Sequence, residues 1–284
     1  MIHMTNLLMT AIREARTFLF VPGNRPERFS KAAASAADVI VLDLEDSVPP
    51  QDKEAAREAI AAALPALIEQ RTVMIRINAL RTDVGRADVA WAATHGHGVA
   101  IMVSKADDAG DLVAALARLP RCPLMPLIES VDGYAGLDNI AQVAGVARLS
   151  LGTIDFMVDA DMQCDAQETQ LAPLRFATAM ASRRYGLAGP VDGVTVNVSD
   201  IAHLTEDTMR ALRFGFGGKL CIHPAQIGPV HAALSPSRTE LDWARRVIDM
   251  DQRSGGAAVQ LDGRMVDAPV VAQARRLLAR APKE

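Results

Sequence analysis

Short apolar, β-rich runs recur along the chain, separated by longer Ala-rich or charged stretches with helical spacing. Eight runs read as strands, at residues 18–22, 39–46, 72–78, 98–105, 124–130, 148–156, 191–195 and 219–224. Residues 26–37, 53–69, 106–119, 171–185 and 205–214 read as helices between them. Strict strand–helix alternation predicts a parallel sheet. Eight repeats at intervals of roughly 20–40 residues predict an α/β fold closed as a (β/α)8 barrel, rather than an open doubly wound sheet. The connector after Phe156 is long and polar, with Asp159, Asp161, Asp165 and Glu168, and is expected to be a mobile loop near the barrel mouth. Beyond Pro224 the alternation stops. Residues 238–253 read as a helix, 259–266 as a hairpin about Asp262-Gly263, and 268–280 as a last helix. The expected division is an N-terminal extension over 1–15, the barrel over 16–234 and a C-terminal extension over 235–284. That extension is too short for an independent core on usual domain sizes.

Composition narrows the class. Of 284 residues, 50% are hydrophobic, and mean hydropathy is +0.11, so a sizeable core forms and a disordered or fibrous chain is excluded. The 30 Lys and Arg against 34 Asp and Glu leave a net charge of −4, with no basic surface to track a phosphate backbone. No nucleic-acid partner is expected. Cys122, Cys164 and Cys221 form neither a C-x-x-C pair nor a disulfide framework, which fits a reducing compartment. No apolar run approaches the roughly 18 residues of a membrane span, and the first residues lack the apolar block and cleavage site of a signal peptide. A soluble, cytoplasmic protein is expected.

The chemistry lies in where the polar residues fall. Nearly every predicted strand carries charge toward its C-terminal end: Asp43, Glu45 and Asp46, then Arg76, Lys105, Glu129, Asp155, Asp192 and His223. Taken singly, each reads as a solvated loop residue or helix cap. Together they would converge on one mouth, the face where barrel enzymes place their active sites. Period-2 alternation puts Asp43 and Glu45 on one face, beside Arg76. Glu129 and Asp155, without soft ligands near them, suit Mg2+, a hard ion held by one or two carboxylates plus water and substrate. Other candidates are weaker. His95 and His97 precede the fourth strand and read as a turn or helix end, and residues 215–219 lack P-loop spacing and read as a turn into the last strand. The cysteines read as buried structural thiols. Arg25, Arg28 and Lys31 form either a solvated basic face or a cationic rim for a phosphorylated cofactor.

The segments FVPGNRPERFSKA, VLDLEDSVPP, IRIN, PLIES, GTIDF, GKLCIHPAQI and LDGRMVDAPVV, in this order, resemble the citrate lyase β-subunit family of the HpcH/HpaI aldolase group. That family includes malyl-CoA, citramalyl-CoA and β-methylmalyl-CoA lyases. The resemblance implies a Mg2+-dependent barrel enzyme, usually a homotrimer. It would cleave a 3-hydroxyacyl thioester of the citryl-, malyl- or citramalyl-CoA type into a 2-oxo acid (oxaloacetate, glyoxylate or pyruvate) and acetyl-CoA or another acyl-CoA. By the same resemblance Glu129 and Asp155 hold the metal and Arg76 binds the carboxylate of the 2-oxo acid; Asp43 and Glu45, as acids beside it, are expected to orient Arg76 and keep the pocket from becoming too cationic. Phe20, Arg25, Lys31, Ile154, Ile222 and His223 match positions that contact CoA. Asp267 matches an acidic residue that reaches a neighbouring subunit's site, where it is a candidate base. Some aldolases of the group carry a histidine base where this chain has VLDLEDSV, which favours the thioester branch. Three alternatives stand beside this reading: a citrate lyase β subunit acting on a citryl-acyl carrier protein, a thioesterase or malate synthase-like enzyme, and a non-enzymatic interaction protein.

Overall fold

The computed structural model describes residues 2–281. Its barrel strands are β1 (Thr17–Pro22), β2 (Val39–Asp43), β3 (Thr72–Ile77), β4 (Ala100–Val103), β5 (Leu124–Ile128), β6 (Ser150–Leu151), β7 (Val191–Asp192) and β8 (Gly218–Cys221). Each pairs in parallel with the next, and β8 returns to β1, so the sheet closes. All eight expected strands form, most of them shorter than the apolar runs. The largest difference is in the run 148–156, where only Ser150–Leu151 is strand and Thr153–Asp159 is helix. A short apolar run does not distinguish a strand from a buried helical turn by pattern alone.

Period-2 geometry explains both the core and the position of the polar groups. Val39 and Val41 of β2, Met74 of β3, Met102 of β4, and Met125 and Leu127 of β5 share one buried cluster with Phe18 and Leu220. Two residues further along β2, β3 and β5, the same inward alternation reaches Asp43, Arg76 and Glu129. The interior is thus apolar until its C-terminal layer, where it becomes charged. At the other end the helix Ile2–Glu14 contributes Ile12, and the following Ala15 joins it in the same cluster. Arg148, 1% exposed, donates from its guanidinium to the carbonyls of Ile12, Ala15 and Gly189. Burial, with Arg13 nearby, lowers its pKa to about 9.

Other expectations resolve locally. His95 ends the helix Asp83–His95, with its Nδ1 3.0 Å from the carbonyl of Trp91. Gly215, at φ +96°, ends the helix Ile201–Phe214 in the left-handed conformation and leads into β8. Cys122 and Cys221 are buried, and burial pushes their thiols up to about 11 and about 12. Among the described residues no helix is long and apolar enough to cross a membrane.

The chain divides into two compact units, Met1–Val230 and His231–Glu284. In the second, the helix Arg238–Ser254 starts on a capping box between Ser237 and Glu240. The strands β9 (Val259–Leu261) and β10 (Arg264–Val266) pair antiparallel through Asp262 and Gly263, both at positive φ, before the helix Ala268–Ala279. Ala244, Val247, Val266, Val271, Ala274 and Leu277 give this unit an apolar cluster of its own.

Candidate active site

Asp43 and Arg76 are register partners across β2 and β3. Both point inward, and Arg76 Nε and Nη2 donate to the two oxygens of Asp43 at 2.6 and 2.7 Å. Arg76 Nη1 lies 3.0 Å from Glu45 Oε2, and the Phe20 ring covers the guanidinium at 4.7 Å. Burial disfavours the charge of Asp43, but Arg76, Ser47 and the Glu45 amide more than offset it and hold its carboxyl below the usual range. Burial likewise opposes the charge on Arg76, and Asp43, Glu45 and Glu129 outweigh it, so the guanidinium stays charged. One N–H on each terminal nitrogen remains for a carboxylate in the mouth.

This cage is braced by residues that the strand-end pattern did not reveal. Lys53 Nζ donates to the carbonyls of Leu44 and Glu45 at 2.7 and 2.8 Å and to Asn78 Oδ1 at 2.9 Å. Asn78 Nδ2 in turn donates to Leu44 O at 2.8 Å and to buried Asp88 at 2.6 Å. A polar Asn directly after β3 was the available signal. Its partners lie 25 and 10 residues away in the chain, which no local pattern reports.

Glu129, 2% exposed, follows β5 and accepts the Lys105 amide on Oε1 at 2.8 Å. Asp155 sits in the first turn of the helix Thr153–Asp159 rather than at a strand end. Lys105 Nζ stands 3.8 Å from Glu45 Oε1 and 3.8 Å from Asp155 Oδ1, so these groups share one charged cluster. Burial raises Glu129 to about 8, helped by the charges of Glu45 and Asp155. Burial also pushes Glu45 up, although Arg76 opposes it. When all are ionised, Asp43, Glu45, Asp46, Glu129 and Asp155 outnumber the cations Arg76 and Lys105 in this cluster. No group of three or more His, Cys, Asp or Glu able to hold a metal occurs among the described residues. Glu129 and Asp155 are hard oxygen donors on one cluster, the kind of pair that could hold Mg2+ with water and substrate in its other positions.

Gly152 makes the placement of Glu129 possible. A Cβ at residue 152 would lie 2.3 Å from Glu129 Oε2 and 2.6 Å from its Cβ. Gly152→Ala is therefore expected to displace the carboxylate and raise the Mg2+ Kd about tenfold or more, as loss of a metal-site support does. Wild-type Mg2+ affinity measured by calorimetry in that variant would refute this.

A cavity of about 810 Å³ opens over the cluster, lined by Phe20, Arg28, Lys31, Arg76, Asp155 and His223 among others. Lys31 and Arg28 thus face it, whereas Arg25 is held by Glu27 at 2.6 Å and does not line it. Ile222 is also in the lining, and Ile154 is 40% exposed on the helix that bears Asp155. His223 caps the turn Pro224–Gln226, its Nδ1 accepting the Ala225 amide at 3.2 Å. Asp192, although it ends β7, is fully buried and neutralised by Arg175 at 3.1 Å and Lys219 at 3.6 Å. Glu168 pairs with Arg175 and Arg210, so the connector expected to be mobile is tied down at that point. Asp267 belongs to the second unit, where its carboxylate caps the helix Ala268–Ala279 by accepting the Val270 amide at 3.2 Å.

Comparison with known proteins adds an independent line. A model of the HpcH/HpaI aldolase/citrate lyase family matches residues 16–224, and one described as a C-C bond lyase of the TIM-barrel fold matches residues 174–283. The chain is 34% identical to a citrate lyase subunit beta-like protein of Mycobacterium tuberculosis, over 93% of this chain and 94% of the relative. It is 32% identical to a (3S)-malyl-CoA thioesterase of Cereibacter sphaeroides, over 94% of each. Among solved structures, CitE from Mycobacterium tuberculosis in complex with magnesium, acetoacetate and coenzyme A superposes with a TM-score of 0.84. That match is at 32% identity and covers 95% of this chain and all of the other.

Proposed function

The chain belongs to the HpcH/HpaI aldolase/citrate lyase family, and we propose that it is a Mg2+-dependent carbon–carbon lyase acting on a 3-hydroxyacyl-CoA. The products are a 2-oxo acid, such as oxaloacetate, glyoxylate or pyruvate, and acetyl-CoA or another acyl-CoA. The observation that carries this reading is the shared cavity. Its lining brings the Arg76 guanidinium together with Asp155 and the cations Arg28 and Lys31, while Glu129, buried just outside the lining, is joined to Asp155 through Lys105. The magnesium and coenzyme A bound by the structural relative support the same assignment.

Arg76 would grip the substrate carboxylate, held in place by Asp43 and Glu45. Glu129 and Asp155 would hold Mg2+, which as a Lewis acid eases deprotonation of the substrate hydroxyl. Asp267, supplied by the extension of a neighbouring copy in a homotrimer, would take that proton. The C–C bonding pair then passes to the thioester α-carbon as an enolate, which takes up a proton to give the acyl-CoA. Arg28 and Lys31 would meet the cofactor's phosphates, while Phe20, Ile154, Ile222 and His223 would flank its acyl arm. Unpaired Cys122, Cys164 and Cys221 support a cytoplasmic setting.

A second reading, hydrolysis of the thioester, is favoured by the 32% identity to a malyl-CoA thioesterase. One assay separates the two. Given citryl-, malyl- and citramalyl-CoA with Mg2+, a lyase releases oxo acid and leaves the acyl-CoA product intact, whereas a thioesterase releases free CoA without oxo acid. Turnover of none of the free thioesters would point to a carrier-protein substrate. In the same assay Asp267→Asn is expected to lower kcat by about 10²–10⁴-fold. Its melting temperature should not change, because Asn caps a helix about as well as Asp. Full activity would remove Asp267 from the reaction.

A further inference from the structure

Lys105 is held in an unusual state for an ordinary side-chain residue. At the end of β4 its φ is +46°, in the left-handed region that L residues avoid unless the surroundings impose it. That backbone accompanies two contacts: the amide reaches Glu129 Oε1 at 2.8 Å, and the ammonium stands 3.8 Å from both Glu45 Oε1 and Asp155 Oδ1. At 3.8 Å neither carboxylate is hydrogen-bonded to the ammonium, so it balances the two electrostatically without being locked to either. Its side chain is 44% exposed and is free to withdraw toward solvent. Lys105 and Arg76 are the two cations that face the acids Asp43, Glu45, Asp46, Glu129 and Asp155, so removing Lys105 removes one of the two positive charges of the cluster.

We propose that Lys105 is a placeholder cation: its ammonium offsets part of the carboxylates' mutual repulsion before metal binds, and then competes with the divalent cation, so that Lys105 sets the metal affinity of the site. This rests on the reading of Glu129 and Asp155 as the metal-holding pair. A cation held by that pair stands next to the Lys105 ammonium, and like charges at such separations repel measurably even at a partly solvated surface.

The test titrates the intact protein with Mg2+ alone, by calorimetry, beside melting temperatures in a chelator. Lys105→Met removes the charge at similar length. Lys105→Gly removes it while relaxing the left-handed backbone and retaining the amide that meets Glu129. Both variants are expected to bind Mg2+ about 10–100-fold more tightly than wild type, with the gap narrowing as ionic strength rises. Lys105→Met should also melt lower without metal. Lys105→Arg, which keeps the charge, should stay near the wild-type Kd. A purely structural lysine would lower the melting temperature without tightening Mg2+. Equal or weaker Mg2+ binding in both the Met and Gly variants overturns the proposal. Glu129→Gln and Asp155→Asn, titrated alongside, should lose binding. If they bind as wild type does, the metal reading itself fails and takes this proposal with it, an outcome distinguishable from failure of Lys105 alone.

Discussion

Arg76→Met is expected to lower kcat/KM by about 10³-fold or more and to destabilise the fold by about 3–5 kcal/mol. Both effects come from one side chain. Arg76 is 11% exposed and pairs through two parallel hydrogen bonds with Asp43, whose side chain is 2% exposed, and with Glu45 at 3.0 Å. Removing the guanidinium strands two carboxylates away from water, and a buried charge without its partner is among the costlier defects a core can carry. The loss of activity has a separate origin, the missing donors for the substrate carboxylate. The double variant Asp43→Asn with Arg76→Met tests that separation. It removes the Asp43 charge and should recover part of the stability while recovering none of the activity. Arg76→Lys should fall between, since a single ammonium does not reproduce the planar fork that meets Asp43, Glu45 and a substrate at once. Chemical denaturation and steady-state kinetics on the four proteins decide the matter. Near-wild-type kcat/KM in Arg76→Met would exclude it as the carboxylate-binding residue.

The second large effect is on pH dependence. In the absence of divalent cation, stability is expected to fall as pH rises from about 4.5 to about 8, by roughly 3–5 kcal/mol at most. Burial, with Glu45 and Asp155 nearby, raises Glu129 to about 8 in the folded state, while the unfolded chain keeps an ordinary glutamate. Across that window the folded protein binds more protons than the unfolded one, so raising pH favours unfolding. Glu45, also raised by burial, adds to the same slope. Asp43, held low, acts in the opposite sense but only in the acid range, below this window. Mg2+ requires the ionised carboxylates, so its affinity should rise with pH, and the melting-temperature gain on adding it should widen from pH 6 to pH 8.5. Glu129→Gln should flatten the metal-free profile and remove most of the gain. A wild-type profile that is level from pH 5 to 8.5 without metal would contradict the buried, unbalanced state of Glu129.

The barrel was legible because two periodicities agreed along the whole chain. Eight buried strand runs recurred with helix-spaced stretches among them, and inward positions such as Val39, Val41 and Asp43 could be counted along one strand. The pairing of Asp43 with Arg76 was legible for the same reason, since neighbouring parallel strands place inward residues at the same level side by side. Asp155 was read at the right position in the chain but on the wrong element. GTIDF suits a strand by composition, yet the chain is helical from Thr153, a choice that the pattern of a short apolar run does not settle. Among the basic residues near the start, the chain alone left Arg25, Arg28 and Lys31 equivalent. In the fold Arg28 and Lys31 line the cavity, whereas Arg25 hydrogen-bonds Glu27 outside that lining.

Asp192 and Glu129 mark the boundary between the two kinds of information. Each is an acidic residue at or just past the end of a buried strand, and local sequence treats them alike. The strand count, the inward face and the layer at which polarity begins follow from the sequence alone, because they depend on repeat spacing within single elements. What each carboxylate does depends on which distant elements pack beside it. Arg175 and Lys219 neutralise Asp192, whereas Glu129 meets a backbone amide, Gly152 and two further negative groups. Tertiary structure thus decided that one acid is a satisfied part of the wall and that the other belongs to a cluster in which acids outnumber cations.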